Sequence, residues 1–208
     1  MMVKVKICGI TNVEDALVAC EAGADALGFV LAPEARKRSR YITPEAAAAI
    51  IERLPSFIVT VGVVVNEPLD TLREYAAIFD RIQLHGDESP ALYRALGGRA
   101  YKAFQTGPTL TYDMIAAWPG NVCLLDAFAR DSRGGTGLRC DWQFAAKASQ
   151  TKKIILAGGL EPDNVEEAVL LVRPYGVDAS GGLECAPGKK DHERIRKFIN
   201  NAKRASLA

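Results

Sequence analysis

What the 208-residue chain lacks already excludes several kinds of protein. It has two histidines and no Cys-x-x-Cys pair, so the closely spaced ligands of a zinc site are missing. Its cysteines (8, 20, 123, 140 and 185) are odd in number and scattered, which fits reduced thiols better than a disulfide framework. No apolar run approaches the roughly 18 residues of a membrane-spanning helix. The opening MMVKVKICGI has neither the apolar centre nor the cleavage site of a secretory leader, and we expect a cytoplasmic protein. With 26 basic and 25 acidic residues the net charge is +1, too little for a broad nucleic-acid or membrane surface. Any anionic ligand must then be held by local groups. No linker, repeat or low-complexity stretch divides the chain, and its length supports a full hydrophobic core.

What is present is a regular alternation of short apolar strands with helices, clearest between residues 154 and 184. Ile154–Ala157 reads as a strand, Gly158-Gly159 as a turn and Pro162–Leu171 as a helical region. Val177–Ala179 is the next strand and Ser180-Gly181-Gly182 the next turn. Two glycine turns after successive parallel strands bring backbone N–H groups to one spot, which suits a phosphate. Upstream, strands are expected at Val3–Cys8, Ala26–Val30, Phe57–Val65, Arg81–Leu84, Ala100–Phe104 and Val122–Asp126. Helix starts are signalled by a Thr11-x-x-Glu14 capping box and by Thr43-Pro44, and Asp191–Ala205 supplies the last helix. Eight strand–helix units fit one (β/α)8 TIM barrel, an α/β fold over residues 1–208. An open doubly wound sheet is the alternative. It would place its glycine fingerprint after the first strand, where only Gly9 stands.

The C-terminal strand ends of such a barrel carry its chemistry. Here they hold Cys8, His85, Asp126 and Asp178, with Arg36, Lys37, Arg38 and Arg40 in the loop after the second strand. Strand alternation puts Lys4, Lys6 and Cys8 on one face, so an inward Cys8 implies an inward Lys6. A buried lysine needs a partner, and Asp178, on the strand that closes the barrel, is the candidate. A nearby cation can draw a thiol toward neutrality and let Cys8 serve as a base, although a free cysteine is equally at home in a core. Asp126 closes the run VCLLD and reads either as an acid with a raised pKa against apolar walls or as a loop anchor. His85 shares a face with Gln83 and is expected to support loops more than ligand, while His192 takes no role.

Taken together, KICGIT at 6–11, SRY at 39–41, QLHG at 83–86, LLD at 124–126, GGTG at 134–137, AGGL at 157–160 and VDASGGLE with PGKKD at 177–191 stand in a distinctive order. In that order and spacing the chain resembles the phosphoribosylanthranilate isomerases, the Amadori isomerases of tryptophan biosynthesis. The resemblance implies a single barrel without metal or organic cofactor, acting on a phosphorylated small molecule, as a monomer or homodimer. It implies Cys8 as general base, Asp126 as general acid and Arg40 on the anthranilate carboxylate. It further implies Gly158, Gly159, Ser180, Gly181 and Gly182 around the phosphate and Asp178 on the ribose; His85, by its place at a strand end, is counted with the substrate-binding residues. The family's usual Ser-Ser-Gly is Ser180-Gly181-Gly182 here, which removes one hydroxyl. Two other functions use the same barrel. A Schiff-base aldolase would need an inward lysine, Lys6 or Lys102, and a non-catalytic phosphate-binding barrel would need neither Cys8 nor Asp126.

Overall fold

The computed structural model describes residues 2–128 and 139–206. Eight parallel strands close into a barrel: β1 (Lys4–Cys8), β2 (Ala26–Val30), β3 (Val59–Val64), β4 (Arg81–Leu84), β5 (Ala100–Thr106), β6 (Val122–Ala127), β7 (Lys153–Leu156) and β8 (Gly176–Ala179). Each strand pairs with its successor, and β8 returns to β1. The helices alternate with them: α1 (Val13–Glu21), α2 (Pro44–Ile51), α3 (Leu69–Ile78), α4 (Pro90–Ala95), α5 (Tyr112–Ala117), α6 (Trp142–Ala148), α7 (Val165–Val172) and α8 (His192–Ala205). This is the α/β barrel expected from the alternation. No helix among the described residues is long and apolar enough to cross a membrane.

Strand periodicity separates two interiors. Outward residues such as Val5, Ile7, Leu27, Phe29, Leu84 and Leu125 pack under the helices in the main core. Helix α8 adds Ile195, Phe198 and Ile199 to it, all essentially buried, and each large side chain of this kind stabilises the fold by about 1.5–3 kcal/mol. Inside the barrel the apolar cluster is small, comprising Val61, Tyr101, Ala103, Leu124 and Ala157. Buried Lys6, Gln83 and Asp178 stand on β1, β4 and β8. A polar lumen of this kind is stable only if its groups bond to one another.

Several local expectations change. Helix α1 is capped by Asn12, whose side chain accepts from the Asp15 N–H, rather than by Thr11. Asn is a strong N-cap, and the Thr11 hydroxyl instead donates to the Gly188 carbonyl. Phe57 is fully exposed in the turn before β3, so that strand starts two residues later than its apolar run. Helix α7 begins at Val165 because residues 161–164 form a turn in which the Glu161 N–H donates to the Asn164 side chain. The basic loop holds a 3-10 turn over Pro33–Arg38. A hairpin of β9 (Glu184–Ala186) and β10 (Lys189–Lys190) follows β8; strands this short leave no periodic signal. Thr43 and Asp141 cap their helices as their positions suggest.

Candidate active site

Barrel closure places Lys6 opposite Asp178 in the β1–β8 register. Their side chains meet at 2.7 Å, Nζ donating to Oδ2, with side-chain exposures of 5% and 8%. Burial alone would lower the pKa of Lys6, but the Asp178 carboxylate, with smaller contributions from Cys8 and Tyr101, more than reverses this and leaves it above its ordinary value. Lys6 is therefore a fixed ammonium. Two residues further along the same face, Cys8 lies opposite Gly28. A Cβ at Gly28 would come within 2.7 Å of the Cys8 Sγ and 3.0 Å of the Lys6 Nζ, so glycine makes the room that both need.

Burial pushes the Cys8 thiol above its ordinary pKa; Lys6, through charge and a hydrogen bond, and Lys190 pull the other way, and Asp178 opposes them. Because burial prevails, the resting thiol is not drawn to neutrality, contrary to expectation. The cations that would stabilise a thiolate are nevertheless in place.

Asp126 ends up buried at the C-terminal end of β6, its Oδ1 accepting from the Ala127 N–H at 2.8 Å. His85 Nε2 lies 3.5 Å from its Oδ2. Gly158 has φ +81° and a Cβ there would sit 2.5 Å from the Ala127 nitrogen, so only glycine lets the turn after β7 come this close to the acid. Gly159 is also left-handed, at φ +65°. Gly181 and Gly182 open a short 3-10 turn after β8. The predicted glycine turns thus follow adjacent strands at one end of the barrel.

Across that end reaches Arg40. Its Nε and Nη2 donate to the two carboxylate oxygens of Glu184 at 2.7 and 2.8 Å, a bidentate pair. The wholly buried ammonium of Lys190 lies 3.1 Å from the same carboxylate and also donates to the Ser180 carbonyl at 3.2 Å. Although burial would raise it, Arg40 and Lys190 hold Glu184 below the usual carboxylate range. A Cβ at Gly181 would lie 2.7 Å from Arg40 Nη2, so the missing side chain at this position leaves space for the guanidinium.

The sequence reading missed Glu184 as the partner of both Arg40 and Lys190, although Glu184 and Lys190 lie in segments it quoted. Their signal was charge immediately beyond a glycine turn. One other expectation changes. Lys102 faces outward from β5 and is held by the Gly86 carbonyl at 2.6 Å and by Glu88 at 3.0 Å, so it is no barrel nucleophile. His192, given no role, packs its Nε2 2.9 Å from Asp15 Oδ1. The side chain of Arg38 and the segment 134–137 lie outside the described residues. Among the described residues, no group of three or more His, Cys, Asp and Glu side chains is placed to hold a metal ion.

Around the ring the order is β6, β7, β8, β1. A buried carboxyl group, two glycine turns and a buried thiol therefore follow one another along one arc. That arrangement can hold a phosphate between a proton donor and a proton acceptor.

Comparison with known proteins gives a consistent result. The family model for N-(5'-phosphoribosyl)anthranilate (PRA) isomerase matches residues 5–201. The N-(5'-phosphoribosyl)anthranilate isomerase of Geobacter sulfurreducens is 52% identical, covering 97% of this chain and 99% of its own. That of Magnetococcus marinus is 48% identical over 99% and 97%. The crystal structure of phosphoribosyl anthranilate isomerase from Thermus thermophilus superposes with a TM-score of 0.87 at 41% identity, covering 99% of this chain and 100% of that one. A phosphoribosyl anthranilate isomerase in complex with reduced 1-(o-carboxyphenylamino)-1-deoxyribulose 5-phosphate gives 0.85 at 41%, covering 97% and 99%.

Proposed function

The chain belongs to the N-(5'-phosphoribosyl)anthranilate isomerase family, and on that premise we propose that Cys8 is the general base and Asp126 the general acid of its reaction. The enzyme catalyses the Amadori isomerisation of N-(5'-phosphoribosyl)anthranilate to 1-(2-carboxyphenylamino)-1-deoxyribulose 5-phosphate in tryptophan biosynthesis. Opening the furanose needs a proton on the ring oxygen, which Asp126 supplies. The imine that results loses its C2 proton to the Cys8 thiolate, and the enolamine tautomerises to the aminoketone. The charged Lys6 beside the sulfur stabilises that thiolate without leaving Asp178. Gly158, Gly159, Ser180, Gly181 and Gly182 bind the phosphate, Arg40 the anthranilate carboxylate and Asp178 the ribose, with His85 beside the acid.

The observation that carries this reading is the order around the ring, with Asp126 on β6 and Cys8 on β1 flanking both glycine turns. One acid, one base and two anion sites suffice, so the reading invokes neither metal nor organic cofactor. It treats residues 1–208 as one working domain, cytoplasmic, with no nucleic-acid partner, active as a monomer or homodimer. A dimeric relative from Thermotoga maritima is known, from which monomers have been made. An imine-forming lysine is disfavoured because Lys6 stays protonated against Asp178. The test is turnover of freshly made substrate followed by its fluorescence. Asp126→Asn should lower kcat by about 10²–10⁴-fold or more, the range of positioned acid catalysis, while product affinity stays within two-fold. Near-full turnover of Asp126→Asn would remove Asp126 as the acid.

A further inference from the structure

We propose that Gln83 and Tyr101 are positioning residues that fix the tautomer of His85, so that its Nε2 carries the proton toward Asp126. The proposal rests on the reading of Asp126 as the general acid. Gln83 and His85 stand two residues apart on the inward face at the end of β4, and Tyr101 pairs with Gln83 in the β4–β5 register. The Tyr101 hydroxyl donates to Gln83 Oε1 at 2.9 Å. With its oxygen engaged there, the amide turns its nitrogen toward His85 Nδ1, at 3.5 Å. An amide nitrogen only donates, so Nδ1 must offer a lone pair. The single proton of a neutral imidazole then sits on Nε2, the atom 3.5 Å from Asp126 Oδ2. Tyr101 is a dependable start to this chain, because burial drives its hydroxyl pKa well above the ordinary value and keeps it protonated.

The direction of the chain matters when Asp126 acts. On giving its proton to the ring oxygen, Asp126 becomes a carboxylate with both oxygens in a buried setting. Oδ1 already accepts from the Ala127 N–H at 2.8 Å. Oδ2 would accept from His85 Nε2–H, which keeps its own proton throughout. The opposite tautomer would present a lone pair to the new negative charge and oppose its formation. The Gln83–His85 hydrogen bond is long at 3.5 Å, and the Nε2–Oδ2 approach at the same distance falls short of a hydrogen bond at rest; catalytic contacts of this kind commonly tighten when charge develops. All four side chains are buried, so water does not substitute readily for a lost link.

The chain has only His85 and His192, so nitrogen-15 spectra of the imidazoles contain two sets of signals, and His85→Asn assigns them. At a pH where His85 is neutral, the wild-type spectrum should show Nε2 protonated and Nδ1 bare, a measurement that needs no variant. Tyr101→Phe, which removes only the hydroxyl, and Gln83→Met should give mixed tautomers. Each should lower kcat about two- to ten-fold, the worth of one net hydrogen bond, with KM within two-fold. A proton on Nδ1 in the wild type would overturn the proposal. So would variants that lose kcat with the tautomer unchanged, or that change tautomer with kcat intact. Retained turnover in Asp126→Asn would instead defeat the acid assignment and leave the tautomer measurement standing.

Discussion

Replacing Lys6 with Met separates the structural worth of the barrel seam from its catalytic worth. The change keeps most of the side-chain volume, so little of its effect would come from a cavity. It does remove the ammonium 2.7 Å from Asp178, whose side chain is 8% exposed. Deleting one member of a buried ion pair leaves an uncompensated charge and costs about 3–5 kcal/mol. With a urea m-value of about 2–3 kcal/mol/M, the unfolding midpoint should fall by about 1–2.5 M with the slope unchanged. The double variant Lys6→Met/Asp178→Leu, which buries no lone charge, should recover much of the loss. The pH dependence follows from the raised pKa of Lys6, which burial opposes and Asp178 imposes. A group whose pKa rises on folding contributes its stability fully below the unfolded value, about 10.4 for lysine, and loses it only above that. The gap between wild type and Lys6→Met should therefore be flat between about pH 6 and 9. The catalytic arm is distinct: with Lys6 gone the Cys8 thiolate loses its nearest cation, so the alkaline rise in kcat/KM should move to higher pH. A Lys6→Met protein within about 1 kcal/mol of wild type, or a double variant as unstable as the sum of its singles, would refute this account of the seam.

Other perturbations address the remaining groups. Because burial holds the Cys8 thiol above its ordinary pKa, wild-type kcat/KM should still climb with pH above neutrality. Cys8→Ser should lose that limb and fall about 10²–10⁴-fold or more in turnover; a retained limb would place the base elsewhere. Arg40→Ala should raise KM about ten- to a hundred-fold with kcat little changed, since a charged hydrogen bond is worth roughly 1.5–3 kcal/mol in ground and transition states alike, and steady-state kinetics decide it. Gly28→Ala puts a Cβ 2.7 Å from the Cys8 sulfur; denaturation should show a loss of about 1–3 kcal/mol, as overpacking does, together with lower kcat.

Much of the fold was legible because the strands, buried on both faces, read as apolar runs separated by capped helices. Thr43-Pro44 and Asp141-Trp142 mark helix starts by side-chain chemistry alone, and both caps form. The glycine turns were legible for the same reason, since left-handed backbone at Gly158 and Gly159 needs glycine. Lys102 misled because a strand position does not state which face it occupies until the register is known. Glu184 and Lys190 were hidden by geometry: the hairpin that carries them has strands of three and two residues, and its partner Arg40 is 144 positions away from Glu184. Tyr101 was hidden in the same way, its role depending on Gln83 from the neighbouring strand.

The buried charges also explain how a chain of net charge +1 manages a substrate with two anionic groups. Lys6 and Asp178 cancel within the lumen, so they orient and stabilise without attracting an anion from outside. Arg40 and Lys190 both face Glu184 beside Ser180 and Gly181. Glu184 is what holds the two cations together there. Without it, two cations close together in a partly buried loop would repel each other and pay the full cost of desolvation. With it, the guanidinium is fixed against the glycine backbone before substrate arrives, and its orientation need not be purchased at the moment of binding. Cations fixed in place, rather than net charge, are thus what suits this end of the barrel to an anion.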